Sequence, residues 1–149
     1  MFQRILIVCS GNICRSPFAQ AMMMKIMPTI QVQSAGTVTA LSELEGHHAD
    51  PRMNEAAQLY NVDLKQHQAR QLTPELCAWS DAILVMEHTH LSALLKIDAS
   101  ARGKSFILGQ WGEGSIEDPY AKEQHHFVSA AKQIESACQS WRRKIQPKD

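Results

Sequence analysis

Neither sign of charge is in excess: 15 Lys and Arg balance 15 Asp and Glu. A broad basic face for nucleic acid or an anionic bilayer is therefore not expected, and any anion must be held locally. Long apolar runs are missing. The first run, Ile5 to Cys9, is too short for a secretory core or a membrane span, so a cytoplasmic protein with no membrane insertion is expected. Cysteine is sparse. Cys9, Cys14, Cys77 and Cys138 have neither C-x-x-C zinc spacing nor the density of a disulfide scaffold. The histidines include the adjacent pairs His47-His48 and His125-His126 and the near pair His88 and His90. None has a Cys or carboxylate set at metal-ligand spacing, so neither a metal nor another cofactor is expected. No G-x4-G-K-[ST] loop occurs, which removes nucleotide phosphates as the natural ligand.

What is present fits one domain spanning residues 1–149. Ile5–Val8, Ala82–Met86 and Phe106–Leu108 are unbroken apolar stretches, the pattern of strands covered on both faces. Ile30–Ser34 alternates and suits an edge strand. Helical spacing links Phe18, Ala21, Met22 and Ile26, then Met53, Ala56, Ala57 and Tyr60, with Asn61 as a stop. Thr73-Pro74 opens a short helix, Leu91, Leu94 and Leu95 mark another, and Phe127 to Ile145 carries a long apolar stripe. Strands alternating with helices imply an α/β fold with a parallel sheet. Thr37 to Asp50 reads as a long loop, a length that is often functional. Ligands of such sheets bind beyond the carboxyl ends of the strands, which directs attention to the turn after the first one.

That turn reads Cys9-Ser10-Gly11-Asn12-Ile13-Cys14-Arg15-Ser16-Pro17, a C-x5-R spacing. Gly11 and Asn12 are the residue types that accept left-handed backbone angles, so successive N–H groups can turn inward on an anion. Ser16 is expected to cap the helix that follows, with Pro17 in its first position. A thiol beside those amides, a helix end and a guanidinium is expected to ionise below the free-cysteine value of about 8.5. Arg15 offers a planar fork for two phosphate oxygens. Cys9 is thus a candidate nucleophile. A leaving phenolate needs a proton, and Asp118-Pro119-Tyr120, after the last strand, supplies a candidate acid in Asp118. Neighbouring Glu117 would favour its protonated form if the two carboxylates are close. The plainer alternatives are a buried strand-end cysteine and a solvated Asp-Pro turn.

With these residues in view, C-x-G-N-I-C-R-S-P and D-P-Y resemble the low-molecular-weight protein tyrosine phosphatase family, over essentially the whole chain. The resemblance implies a three-layer, flavodoxin-like fold, a four-stranded parallel sheet flanked by helices on both faces. It implies metal-independent hydrolysis of phosphotyrosine through a phosphocysteine. On the same basis Cys9 is the nucleophile, Arg15 the phosphate ligand and Asp118 acid and then base. Ser10, Gly11, Asn12, Ile13, Cys14 and Ser16 complete the phosphate loop, Asn12 holding it and Ser16 bonding the thiolate. Ile13 and Tyr120 resemble the tyrosine-specific members rather than the arginine-phosphate ones. The surroundings of Leu41 and Trp111 resemble the bacterial capsule or exopolysaccharide branch. The implied partner is therefore a phosphotyrosine protein such as a tyrosine autokinase, met by a monomer. Leu41 and Tyr120 are expected to wall the phenol ring.

Two rival functions and two roles for Cys14 stand beside this reading. Arsenate reduction on the same fold needs cysteines after the third strand, where Met86-Glu87-His88 stands instead. A phosphotyrosine-binding module would not need both Cys9 and Asp118. Cys14 could form a reversible disulfide with Cys9 or simply pack under the loop.

Overall fold

The computed structural model describes residues 2–146. Its centre is a four-stranded, wholly parallel sheet in the order β2-β1-β3-β4, made of β1 (Arg4–Cys9), β2 (Gln31–Gly36), β3 (Ala82–Val85) and β4 (Ser105–Ile107). Side chains of a strand alternate between faces, so an apolar run can serve two cores. Ile5, Ile7 and Cys9 enter one core together with α1 (Arg15–Ile26), α2 (Pro51–Ala57) and α5 (Gln124–Ile145). Leu6 and Val8 enter the other with α3 (Pro74–Trp79) and α4 (His88–Ile97). This is the three-layer arrangement expected, with the alternating strand β2 on an edge.

Local chemistry sets the ends. Thr73 Oγ1 accepts the Leu76 N–H at 3.2 Å and Pro74 fills the first position of α3. Asn61, left-handed at φ 58°, closes the short 3-10 turn after α2. The stripe of α5 is buried as its spacing required, and the Trp141 Nε1–H donates to the Leu108 carbonyl at 2.7 Å. Burying each large apolar side chain of this kind contributes about 1.5–3 kcal/mol.

One expectation fails. Ser16 is not the helix cap: α1 begins at Arg15 with Cys14 before it, and no side chain caps the helix. The Ser16 hydroxyl is buried and engaged by Asn12 and Cys9 instead. No acidic residue sits in the first turn of α1, so its positive end is left without a carboxylate of its own.

In the order 2-1-3-4 the connections leave β1 and β3 towards opposite faces. The carboxyl ends of these two strands therefore border the crevice where such sheets bind ligands. All loops bearing candidate residues converge there.

Candidate active site

The turn from Cys9 to Arg15 is held from outside, one carbonyl after another. Thr37 N–H donates to Cys9 O at 2.9 Å and Val38 N–H to Ser10 O at 3.0 Å. Thr39 Oγ1 donates to Gly11 O at 3.0 Å, His67 Nε2 to Asn12 O at 2.6 Å, and Asp50 N–H to Ile13 O at 2.8 Å. In a trans peptide the N–H points opposite the carbonyl. Five outward carbonyls in succession therefore aim the amides of Ser10 to Cys14 inward, as a nest for an anion. Among the described residues the amides of Gly11 to Arg15 donate to no other group.

Asn12 makes this curvature possible. Its φ of 61° is left-handed, which asparagine tolerates better than most residues. Gly11 does not use such an angle; its lack of a side chain leaves room for Leu44, whose Cδ1 would lie 2.9 Å from an added Cβ. Fully buried, Asn12 spends its amide hydrogens on Ser16 Oγ at 2.7 Å and Ser34 Oγ at 3.0 Å, and its Oδ1 accepts the Arg70 N–H at 3.0 Å. Because Ser16 Oγ already accepts from Asn12, its own proton is left for Cys9 Sγ, 2.9 Å away. The displaced cap of α1 thus becomes a donor to the sulfur.

Arg15 is 2% exposed. Its NH1 donates to Glu87 Oε2 at 2.7 Å and to the Ile116 carbonyl at 3.0 Å, while NH2 lies 3.8 Å from Asp118 Oδ2. Its Nε is buried with no partner among the described residues. A guanidinium whose far nitrogen is tied and whose Nε is unpartnered presents a donor edge to the nest. The carboxyl of Glu87 is pulled up by burial, and the Arg15 hydrogen bond and charge outweigh this to hold it below the usual range.

Two thiols lie in this turn, both free and buried. Burial and then the Asp50 carboxylate, 3.9 Å from its sulfur, push the Cys14 thiol well up, so it stays protonated at neutral pH. Cys14 therefore reads as the supporting sulfur and Cys9 as the one that faces the nest.

The cavity over the turn is lined by Cys9, Arg15, Val38, Leu44, Asp118 and Tyr120 among others. At about 250 Å³ it is smaller than the ~300–1,000 Å³ clefts that take drug-sized ligands. It suits one modified side chain. Asp118 is half exposed at the mouth, its Oδ1 accepting the Tyr120 N–H at 3.1 Å. Leu41 is a correction: 85% exposed, it is not among the lining residues, and Val38 and Leu44 from the same loop take the place expected of it. The loop turns back on itself through Leu44 N–H to Thr39 O at 2.9 Å, which leaves Leu41 at its outer tip. The carboxylate of neighbouring Glu117 lies 3.7 Å from His126 Nδ1 on α5. The sequence reading missed Thr39, His67, Arg70 and Glu87, of which only Thr39 lay in a segment that had carried a signal, and it took His90 only as a metal ligand to be set aside.

Fold and site together define a class: an α/β enzyme that cradles an oxyanion against a cysteine sulfur. The sequence profile described as low molecular weight phosphotyrosine protein phosphatase matches residues 4–149. The low molecular weight protein-tyrosine-phosphatase Wzb of Salmonella typhimurium is 39% identical, covering 95% of this chain and 93% of that one. The probable phosphatase AmsI of Erwinia amylovora is 38% identical over 95% and 96%. The structure of Vibrio vulnificus Wzb in complex with benzylphosphonate superimposes with a TM-score of 0.95 at 44% identity, covering 97% and 99%. The chain belongs to the low molecular weight phosphotyrosine protein phosphatase family.

Proposed function

We propose that the chain dephosphorylates phosphotyrosine on a tyrosine autokinase of capsule or exopolysaccharide export, acting as a cytoplasmic monomer of one domain without metal. The observation that carries the chemistry is the buried, unpartnered Nε of Arg15 beside a turn whose carbonyls are all tied outward. These donors fit the three equatorial oxygens of a phosphoryl group in flight.

Cys9 attacks phosphorus as the thiolate, with the Ser16 hydroxyl donating to it. The S–P bond forms as the P–O bond to the phenol breaks, and Asp118 gives its proton to the leaving oxygen. Water then attacks the phosphocysteine, Asp118 takes its proton, and sulfur leaves as thiolate. Tyr120, with Val38 and Leu44, flanks the phenol ring, and apolar Ile13 on the cavity wall suits an aryl group better than a guanidinium. The autokinase and the compartment rest on resemblance to the bacterial branch; no helix of the described residues is long and apolar enough to cross a membrane.

Turnover of an aryl phosphate in chelator tests the reaction. It should vanish in Cys9→Ser and fall by about 10²-fold or more in Asp118→Ala. Thioredoxin-dependent arsenate reduction without aryl phosphatase activity would transfer the site to the rival chemistry. The partner is tested by offering a tyrosine-phosphorylated autokinase tail beside a phosphoarginine protein; preference for the latter would refute the substrate assignment.

A further inference from the structure

The first turn of α4 carries a buried histidine that the reaction scheme does not use. His90 is 3% exposed, its Nε2 is 2.8 Å from Ser10 Oγ and 3.5 Å from Arg15 NH2, and its Nδ1 is buried with no partner among the described residues. We infer that His90 is a positioning residue for the phosphatase reaction: as a neutral imidazole accepting the Ser10 hydroxyl, it fixes the turn directly after Cys9 and the open side of the Arg15 guanidinium. The inference rests on the reading of Cys9 and Arg15 as the reaction centre.

Hydrogen-bond chemistry assigns the tautomer. Arginine has donors only. A proton on Nε2 would face the hydrogens of Arg15 NH2, whereas a lone pair there attracts them and accepts from Ser10 as well. The proton therefore belongs on Nδ1, where it goes unmet. A buried donor without a partner is rare and calls for a reason. A leucine would fill the same space without that cost, so space filling does not explain the ring.

The surroundings also decide its charge. Arg15 from α1, Glu87 at the head of α4 and Asp118 from the loop after β4 are the charged groups that bear on it. Burial and Arg15 outweigh the two carboxylates and push the ring down to about 4, so it is neutral where the enzyme would work. Glu87 and His90 are three residues apart and share one helical face. Glu87 ties NH1 at 2.7 Å while His90 stands at NH2, so one turn of α4 borders both terminal nitrogens of Arg15 and leaves Nε to the nest.

Three variants separate positioning from packing. Glutamine can place an amide oxygen near the Nε2 position, and leucine cannot accept at all. With an aryl phosphate, kcat should fall about tenfold in Ser10→Ala and at least as far in His90→Leu, and the double variant should be no worse than His90→Leu, because the leucine has already lost the Ser10 contact. His90→Gln should recover about a third of the wild-type rate or more. Equal losses in His90→Leu and His90→Gln, or a full rate in His90→Leu, would overturn the inference. Nitrogen-15 NMR of the wild-type ring keeps the test independent of variants that fail to fold. A neutral ring protonated on Nδ1 at pH 6, with a Nε2 shift that moves in Ser10→Ala, is expected; an imidazolium or a proton on Nε2 would overturn it. An inactive wild type with the expected tautomer would instead condemn the phosphatase reading and leave the hydrogen-bond assignment standing.

Discussion

Mild acid should destabilise this protein, and His90 sets the size of the effect. The folded ring titrates near 4 and an unfolded histidine near 6.5. As pH falls the unfolded chain takes up the proton first, so stability is whole above 6.5 and is lost towards 4. From 6.5 down to pH 5, at about 1.36 kcal/mol per pH unit, the loss comes to about 2 kcal/mol. His67 adds to it in the same direction, since burial holds its ring down against the pull of the Asn12 carbonyl. Glu87 and Asp81, both held below their ordinary carboxylate values, keep their contributions throughout this window and lose them only at lower pH. Urea unfolding at pH 7 and pH 5 measures the difference, and His90→Gln should remove most of it. A wild type that is flat within about 0.5 kcal/mol, or a variant with the full wild-type slope, would refute the reasoning.

Arg15→Lys should reduce kcat on an aryl phosphate by about 100-fold or more, because an ammonium cannot hold Glu87 and offer a donor edge to phosphate together; more than a tenth of the rate, a loss under about 1.4 kcal/mol, would contradict this. Asn12→Gly keeps the left-handed backbone free of strain, so its effect isolates the side chain; three lost hydrogen bonds should cost about 3 kcal/mol in urea unfolding, and a change under about 0.5 kcal/mol would show that the amide holds nothing. Gly36→Ala should lose about 1–3 kcal/mol with a matching fall in activity, since the new methyl carbon would sit 2.5 Å from Ser10 O and 2.9 Å from the Gly11 carbonyl carbon; unchanged thermal unfolding and kcat would show that the turn yields without cost.

What could be read along the chain was whatever is local. The strand runs, the Thr73-Pro74 helix start, the Asn61 stop and the α5 stripe depend on neighbours within a few residues, and each is found where its pattern stood. The Cys9 to Arg15 spacing belongs to the same kind of signal. Ser16 was misread because Ser-Pro is a good helix opening in isolation; only the fold shows that Asn12 and Cys9 compete for the hydroxyl and win it. Leu41 was misread because apolar character says nothing about which side of a loop faces the cavity.

The groups whose role at the turn escaped notice share a physical cause. Thr39, His67, Arg70, Glu87 and His90 reach the turn from three different segments, 28 to 80 residues away. They are not a motif but the answer to a constraint. A turn that aims its amides at an anion must send its carbonyls the other way, into protein, where each requires a donor. A guanidinium buried among those amides likewise requires a carboxylate that leaves one edge of it open, which Glu87 supplies from the far side. Given an inward nest and a buried arginine, outward donors and a partner acid must exist somewhere in the fold. The need for such donors and for the acid follows from the nine-residue turn, and their addresses along the chain do not.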